Sequence, residues 1–190
     1  MRRRDLLRAS AAAVGGGGAT LGLVSLARDA DAQAALALNV TGDSTTLGAD
    51  ESVTALTLSV DVEWAYDVPD SAAPSAVIVE LAAATDGDTP TVVASAESAE
   101  LFTEAEGTES LEAGLLGDVV EASALTPADG ERETVVDVQA SMRVENSGGE
   151  VLARATATDS APVTVERTAS ASEYGSVGGS GSLTIETGSA

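Results

Sequence analysis

The chain has 190 residues, enough for one domain of ordinary size and an appendage, and its 31 acidic against nine basic residues give a net charge of −22. It contains no Cys, His or Lys, which excludes disulfides and thiol nucleophiles, removes the usual ligands of zinc and blue copper, and leaves a Ser/His/Asp hydrolase without its base. No GxxxxGK(S/T) segment is present, so the usual phosphate-binding loop is excluded.

Residues 1–32 are predicted to be an export leader. Arg3 and Arg4 are followed by a spacer, by the apolar Leu6 and Leu7 and by a further Arg, and residues 9–27 are then uncharged and rich in Ala, Gly and Leu. This segment resembles the twin-arginine export signal. The resemblance implies that the protein leaves the cytoplasm already folded.

The end of the leader contains a predicted cleavage site. Ala30 and Ala32 flank one Asp in an A-x-A pattern, and Ala32 and Ala34 form an alternative. The opposing interpretation is an uncleaved membrane anchor, since residues 9–27 are just long enough to span a bilayer. Four consecutive Gly make this run only weakly apolar, which favours cleavage.

Charge separates the leader from the rest of the chain. Residues 1–32 carry five Arg and three Asp, a net of +2, which leaves −24 on the remainder. Repulsion of this size destabilises a compact state and is relieved by salt, because the Debye length falls to about 3 Å at 1 M. This Lys-free composition resembles that of proteins from extremely halophilic archaea. With 44% apolar residues, a folded protein is favoured over a disordered acidic chain.

Residues 54–67 form the clearest strand of the sequence. Apolar residues occupy every second position, which indicates a strand with one buried and one wet face. The inward positions are predicted to be Leu56, Leu58, Val60, Val62, Trp64 and Tyr66. Because this strand carries the only Trp, it is predicted to be the core strand.

Further strands are predicted on both sides of residues 54–67, separated by turn signals. They span residues 35–40, 75–84, 91–99, 133–145, 150–158, 163–167 and 182–187. Residues 42–52 are predicted to be a polar loop, and residues 101–126 are left open between one short helix and a loop-rich crossover with a weak strand. Phe102, inside that segment, is predicted to be a core residue rather than an exposed anchor.

The strand and turn pattern predicts an all-β fold, an antiparallel β-sandwich of seven to eight strands. It resembles an immunoglobulin or fibronectin type III module, without the paired Cys of antibody domains. The predicted organisation is a signal peptide (1–32), a β-sandwich domain (33–171) and a Gly/Ser-rich segment with a terminal strand (172–190). That strand is expected to complete its own sheet, with donation to a neighbouring copy as the alternative.

With His, Cys and Lys absent, carboxylates are the groups that remain for acid–base catalysis, and their spacing predicts no catalytic site. Asp61 and Glu63 project from one face of a strand about 7 Å apart, a glycosidase-like spacing, but the solvated face of a strand is the favoured interpretation. Asp86 and Asp88 are weak calcium candidates, as is the loop with Asp129 and Glu131. These Asp-Gly segments are more simply turn formers, so no catalytic residue, cofactor or metal is predicted.

The function predicted from the sequence is non-catalytic, a structural or binding protein at the cell surface or in the medium. Asn39 begins a glycosylation sequon. The expected partner is a protein or glycan at the cell surface, with membrane contact only through an uncleaved leader and no nucleic acid, because the mature chain is so acidic. Recognition is expected from loops 68–74, 86–90 and 146–149. A homo-oligomer, a fibre built by strand addition and a carboxylate-dependent hydrolase remain as alternatives.

Overall fold

The computed structural model describes residues 32–48, 50–85, 87–167 and 181–189, which are almost entirely β-strand. The strands in this part of the chain are β1 (Gln33–Ala37), β2 (Asp43–Leu47), β3 (Glu51–Asp67), β4 (Pro74–Thr85), β5 (Thr91–Ala99), β6 (Glu104–Gly114), β7 (Gly130–Asn146), β8 (Val151–Arg167) and β9 (Gly181–Ser189). A four-residue helix, α1 (Ala122–Leu125), lies between β6 and β7.

The strands form two facing sheets. One has the order β1-β3-β6, with β9 also paired to β3, and the other has the order β2-β8-β7-β4-β5. In immunoglobulin lettering these are A-B-E and A′-G-F-C-C′, so the fold is an immunoglobulin-like β-sandwich, as predicted. The strand pairs are antiparallel, as predicted, with one exception among the described strands: β2 runs parallel to β8.

Strand β3 is the central strand of its sheet and confirms the alternation predicted from the sequence. Its six inward side chains are all at most 7% exposed, whereas Asp61 and Glu63 between them are exposed. β7 follows the same rule, with every second residue from Val136 to Val144 buried against the opposite sheet. Apolar burial from both inner faces therefore holds the sheets together.

The first and last strands share one edge of β3. β1 pairs with residues 63–67, then the chain crosses to the other sheet as β2, and β9 pairs with residues 51–60 in the place beside β3 that β1 has left. The crossover is held by the buried Asp159, whose carboxylate accepts the Val40 N–H at 2.8 Å. Leu183 of β9 donates its N–H to the Thr41 carbonyl at 3.1 Å, which joins the two sheet edges.

The strand count differs from the prediction of seven to eight, since nine strands lie in the described residues. β2 falls in the predicted loop 42–52. Its sequence, DSTTL, is mostly polar and hid the strand, although Thr45 and Leu47 are buried. The predicted strands 150–158 and 163–167 are one strand, β8, with Pro162 inside it. Proline is tolerated there because β2 pairs with β8 only from Val163 onward, so that edge of Pro162 carries no described ladder partner.

The undecided segment 101–126 contains a full strand, β6, followed by α1. The strand was hard to recognise because its inward positions include Ala105 and Gly107 rather than large apolar residues. Gly107 lies opposite Trp64, and a Cβ there would come within 2.6 Å of the Trp64 ring. The small residue in β6 is thus the counterpart of the large one in β3.

Candidate functional site

The connections between strands gather at two ends of the sandwich, called here the first pole and the second pole. The first pole contains the β3–β4, β5–β6 and β7–β8 connections (residues 68–73, 100–103 and 147–150). The second pole contains the β2–β3, β4–β5 and β6–β7 connections. Of the three loops expected to carry recognition, 68–74 and 146–149 lie at the first pole and 86–90 at the second.

The first pole displays two adjacent large apolar side chains. Leu101 is 79% exposed and Phe102 is 70% exposed, both in the β5–β6 connection. The prediction that Phe102 belongs to the core is wrong. Beneath this pole the inner face is filled by the buried, stacked side chains of Trp64 and Tyr66 from β3.

Hydrogen bonds hold the β5–β6 connection in a fixed shape. The Tyr66 hydroxyl donates to the Phe102 carbonyl at 2.7 Å, and the Val68 N–H donates to the Thr103 carbonyl at 2.8 Å. The carboxylate of Glu100 accepts the N–H groups of Leu101 and Phe102 at 3.0 and 3.2 Å. Because these bonds engage the backbone on both sides of the pair, they hold its two apolar side chains in a position that faces solvent.

Tyr66 links this loop to the core. Its ring stacks on that of Trp64, with centroids 6.1 Å apart and the planes inclined by 14°. Burial, together with the nearby negative charge of Glu100, raises the pKa of Tyr66 far above its ordinary value of 10.0. The hydroxyl therefore remains a protonated donor to the loop at any ordinary pH.

Carboxylates surround the exposed pair. Glu100 and Glu104 flank it in sequence, and Asp70 accepts a long hydrogen bond of 3.5 Å from the Thr103 hydroxyl. We name the exposed Leu101 and Phe102 with these three acids the apolar tip. The surface is amphipathic, with an apolar centre and an acidic rim.

The second pole is organised by one arginine. From the end of β8, the Arg167 guanidinium donates from Nε to the Pro127 carbonyl, from Nη1 to the Gly48 carbonyl and from Nη2 to the Glu51 carbonyl, each at 2.8 Å. Three chain segments are thereby joined by one side chain. Beside it lies an open cleft of about 450 Å³, which we name the Arg167 cleft. It is lined by Asp50, Glu51, Ser52, Ser123, Thr126, Pro127, Ala128 and Arg167.

The carboxylates singled out in the sequence do not converge on a site. Asp61 and Glu63 lie on the exposed face of β3, where Asp61 accepts a hydrogen bond from the Ser110 hydroxyl at 2.6 Å. Asp88 is exposed in the β4–β5 turn, whereas Asp86 lies outside the described residues. Across the part of the chain that the structure describes, no three acidic residues are grouped as a metal site.

The export residues lie almost wholly beyond the described part of the chain. Arg3, Arg4, Leu6, Leu7 and Ala30 fall outside it, and within it no helix is long and apolar enough to cross a membrane. Ala32 is described, buried and immediately precedes β1. Asn39 of the sequon is exposed in the crossover from β1 to β2.

Sequence reasoning missed both the apolar tip and the Arg167 cleft. At the tip the sequence shows only that Leu101 and Phe102 lie close to a strand end and between acids. The cleft has no signal in the sequence, since its lining residues come from segments far apart in the chain. In comparison with known proteins, no family model, no curated protein and no solved structure matches this chain.

Proposed function

We propose that this protein is a non-catalytic, exported structural or binding β-sandwich of the cell surface or medium of an extreme halophile, and that it binds its partner through the apolar tip. The observation that carries the proposal is the display of Leu101 and Phe102, exposed side by side on a loop held by hydrogen bonds. Exposing two large apolar side chains to water is unfavourable unless a partner covers them.

The position of the tip supports recognition. It lies at the pole that carries the β3–β4 and β7–β8 connections, the counterparts of the B–C and F–G loops with which antibody variable domains bind antigen. This is an analogy of fold alone. Its value is that loops at one pole can vary without disturbing the two packed sheets beneath them.

Export is supported by the start of the fold. β1 begins at Gln33, so cleavage after Ala32 would leave every residue of the strand in place and would remove Ala32 from the buried core. Cleavage at the alternative position, after Ala34, would remove Gln33 and Ala34, which pair with Asp67 and Tyr66. The first position is therefore the one that the fold favours.

Site-specific cross-linking in intact cells tests the proposal. A photoreactive benzoylphenylalanine placed at position 102 should give a specific cross-linked product in the surface or medium fraction, either one band with a different protein or a ladder of multiples of this chain. The matched control is the same residue at Val92, which is 58% exposed on β5 away from the tip, and should give none. Equal cross-linking at both positions, or none at position 102, would contradict a binding role for the tip. The mass of the recovered protein reports in the same sample whether the leader is cleaved and Asn39 glycosylated.

A further inference from the structure

The partner of the apolar tip follows from the chemistry at the opposite pole. We propose that it is a second copy of this chain, and that Phe102 of one copy inserts into the Arg167 cleft of the next. This inference rests on the proposed binding role of the tip and adds the identity of the partner. It predicts a head-to-tail filament.

The Arg167 cleft has the composition of a site for an aromatic ring. The guanidinium is planar, and its N–H groups are directed in that plane toward the carbonyls of Pro127, Gly48 and Glu51. A planar guanidinium that lines a cleft attracts an aromatic face by cation–π and stacking interaction. Pro127 and Ala128 supply apolar wall.

The size of the cleft also fits. Its volume is about 450 Å³ and it is open to solvent, so a side chain of another molecule can reach it. Phe102 with part of Leu101 therefore has room to enter. Of the described aromatic residues, Phe102 is exposed, whereas Trp64 and Tyr66 are buried, so within the described part of the chain Phe102 is the ring that a second copy can offer.

The arrangement of the two sites determines the kind of assembly. The tip and the cleft lie at opposite poles, separated by the length of the 17-residue strands β3 and β7. Two different patches at opposite ends make a heterologous contact, which adds copies in one direction and does not close on a dimer. The axial repeat should be roughly 55 Å, from about 3.3 Å per residue of strand.

Charge makes this contact dependent on salt. The tip carries Asp70, Glu100 and Glu104, and the cleft carries Asp50 and Glu51 at its margin. Like charges oppose the contact in dilute buffer, and molar salt screens them. Self-assembly should therefore strengthen as salt rises, whereas binding to a basic partner would weaken under the same change.

Two surface variants of the exported protein test the contact from both sides. Phe102→Ser removes the inserted ring, and Ala128→Trp fills the cleft from an exposed position. In molar salt, light scattering and electron microscopy should show filaments for the unchanged protein and single copies for either variant. Circular dichroism checks that both variants keep the β fold.

Mixing the variants is the decisive measurement. The Phe102→Ser variant keeps an intact cleft and the Ala128→Trp variant keeps an intact tip, so an equimolar mixture should form dimers and nothing longer. Dimers in the mixture support the inference. Filaments formed by either variant alone, or an unchanged protein that stays monomeric in molar salt, would overturn it. In the latter case a cross-link from position 102 to a different protein would still uphold the proposed binding role.

Discussion

The two poles of this sandwich use different side chains to donate hydrogen bonds to loop carbonyls. Connections at both poles leave backbone carbonyls that no strand can pair, and each pole supplies a donor from the end of a strand. At the first pole the donor is the neutral, buried hydroxyl of Tyr66, which makes one bond to Phe102. At the second pole it is the guanidinium of Arg167, which makes three bonds to two segments, residues 48–51 and Pro127.

The difference explains why one pole projects a surface and the other contains a cleft. A hydroxyl with one proton fixes one loop from beneath and leaves that loop's side chains directed outward. A guanidinium with five N–H groups draws several segments around itself, and the space between them remains as the Arg167 cleft. The choice of donor therefore sets the shape of each end.

The largest test of this comparison is Arg167→Ala. The substitution removes the donors to the Pro127, Gly48 and Glu51 carbonyls, and we expect it to lower the free energy of unfolding by about 2–3 kcal/mol, because bonds from charged groups are worth more than neutral ones. Urea titration of both proteins in the same salt measures the change. Arg132→Ala is the control: that exposed arginine also bonds two backbone carbonyls, and its loss should cost below about 0.5 kcal/mol. Equal losses of unfolding free energy in the two variants would show that Arg167 stabilises the fold no more than an exposed arginine does.

The fold was predictable to the extent that its inner faces consist of large apolar residues. β3 and β7 could be recognised at once, because Leu, Val, Trp and Met alternate with polar residues along them. β6 could not, because an alternation of Ala and Gly with Glu carries little hydrophobic contrast. Its identity as a strand depends on Trp64 across the sheet, which no local pattern can reveal.

The candidate surfaces were less predictable than the fold, for a related reason. Exposure of Phe102 is decided by the space that Trp64 and Tyr66 occupy, and a sequence in which aromatics are rare argues for burying each of them. The Arg167 cleft depends on three segments that meet only through the crossing of β2 and the end of β8. Local patterns predict strands and turns, whereas these surfaces arise from contacts between distant segments.

The packing beneath the first pole can be broken at Gly107. Gly107→Ala places a Cβ against the Trp64 ring, which stacks on Tyr66 and so supports the loop of the apolar tip. We expect a loss of about 1–3 kcal/mol from overpacking, together with a changed near-ultraviolet circular dichroism signal of Trp64. Gly114→Ala on the same strand is the control, because a Cβ there meets nothing within 4 Å. A Gly107 variant as stable as the Gly114 variant would show that the ring can move aside.

Tyr66→Phe removes the hydroxyl that bonds the loop of the first pole and keeps the aromatic ring. Losing the bond to the Phe102 carbonyl should cost about 1 kcal/mol at neutral pH. The pKa of Tyr66 is raised in the folded state, so its share of the stability is complete below pH 10.0, the ordinary tyrosine value, and declines as the unfolded chain ionises above it. Unfolding free energies measured from about pH 8 upward should therefore fall less steeply for the Phe variant. Identical slopes would mean that Tyr66 is not the group that titrates.

The smallest change in the free energy of unfolding is expected for substitutions in the apolar tip, because its two side chains are exposed. Phe102→Ser removes a side chain that is 70% exposed and should change the free energy of unfolding by no more than about 0.5 kcal/mol, as should Val92→Ser on β5. Only Phe102→Ser should abolish assembly, because the proposed contact uses the Phe102 ring, whereas Val92 lies on β5 outside the apolar tip. A loss above about 1 kcal/mol would mean that the ring packs against its own domain. The proposed contact between the two poles would then be wrong, because a ring that is needed for its own fold is not available to another copy.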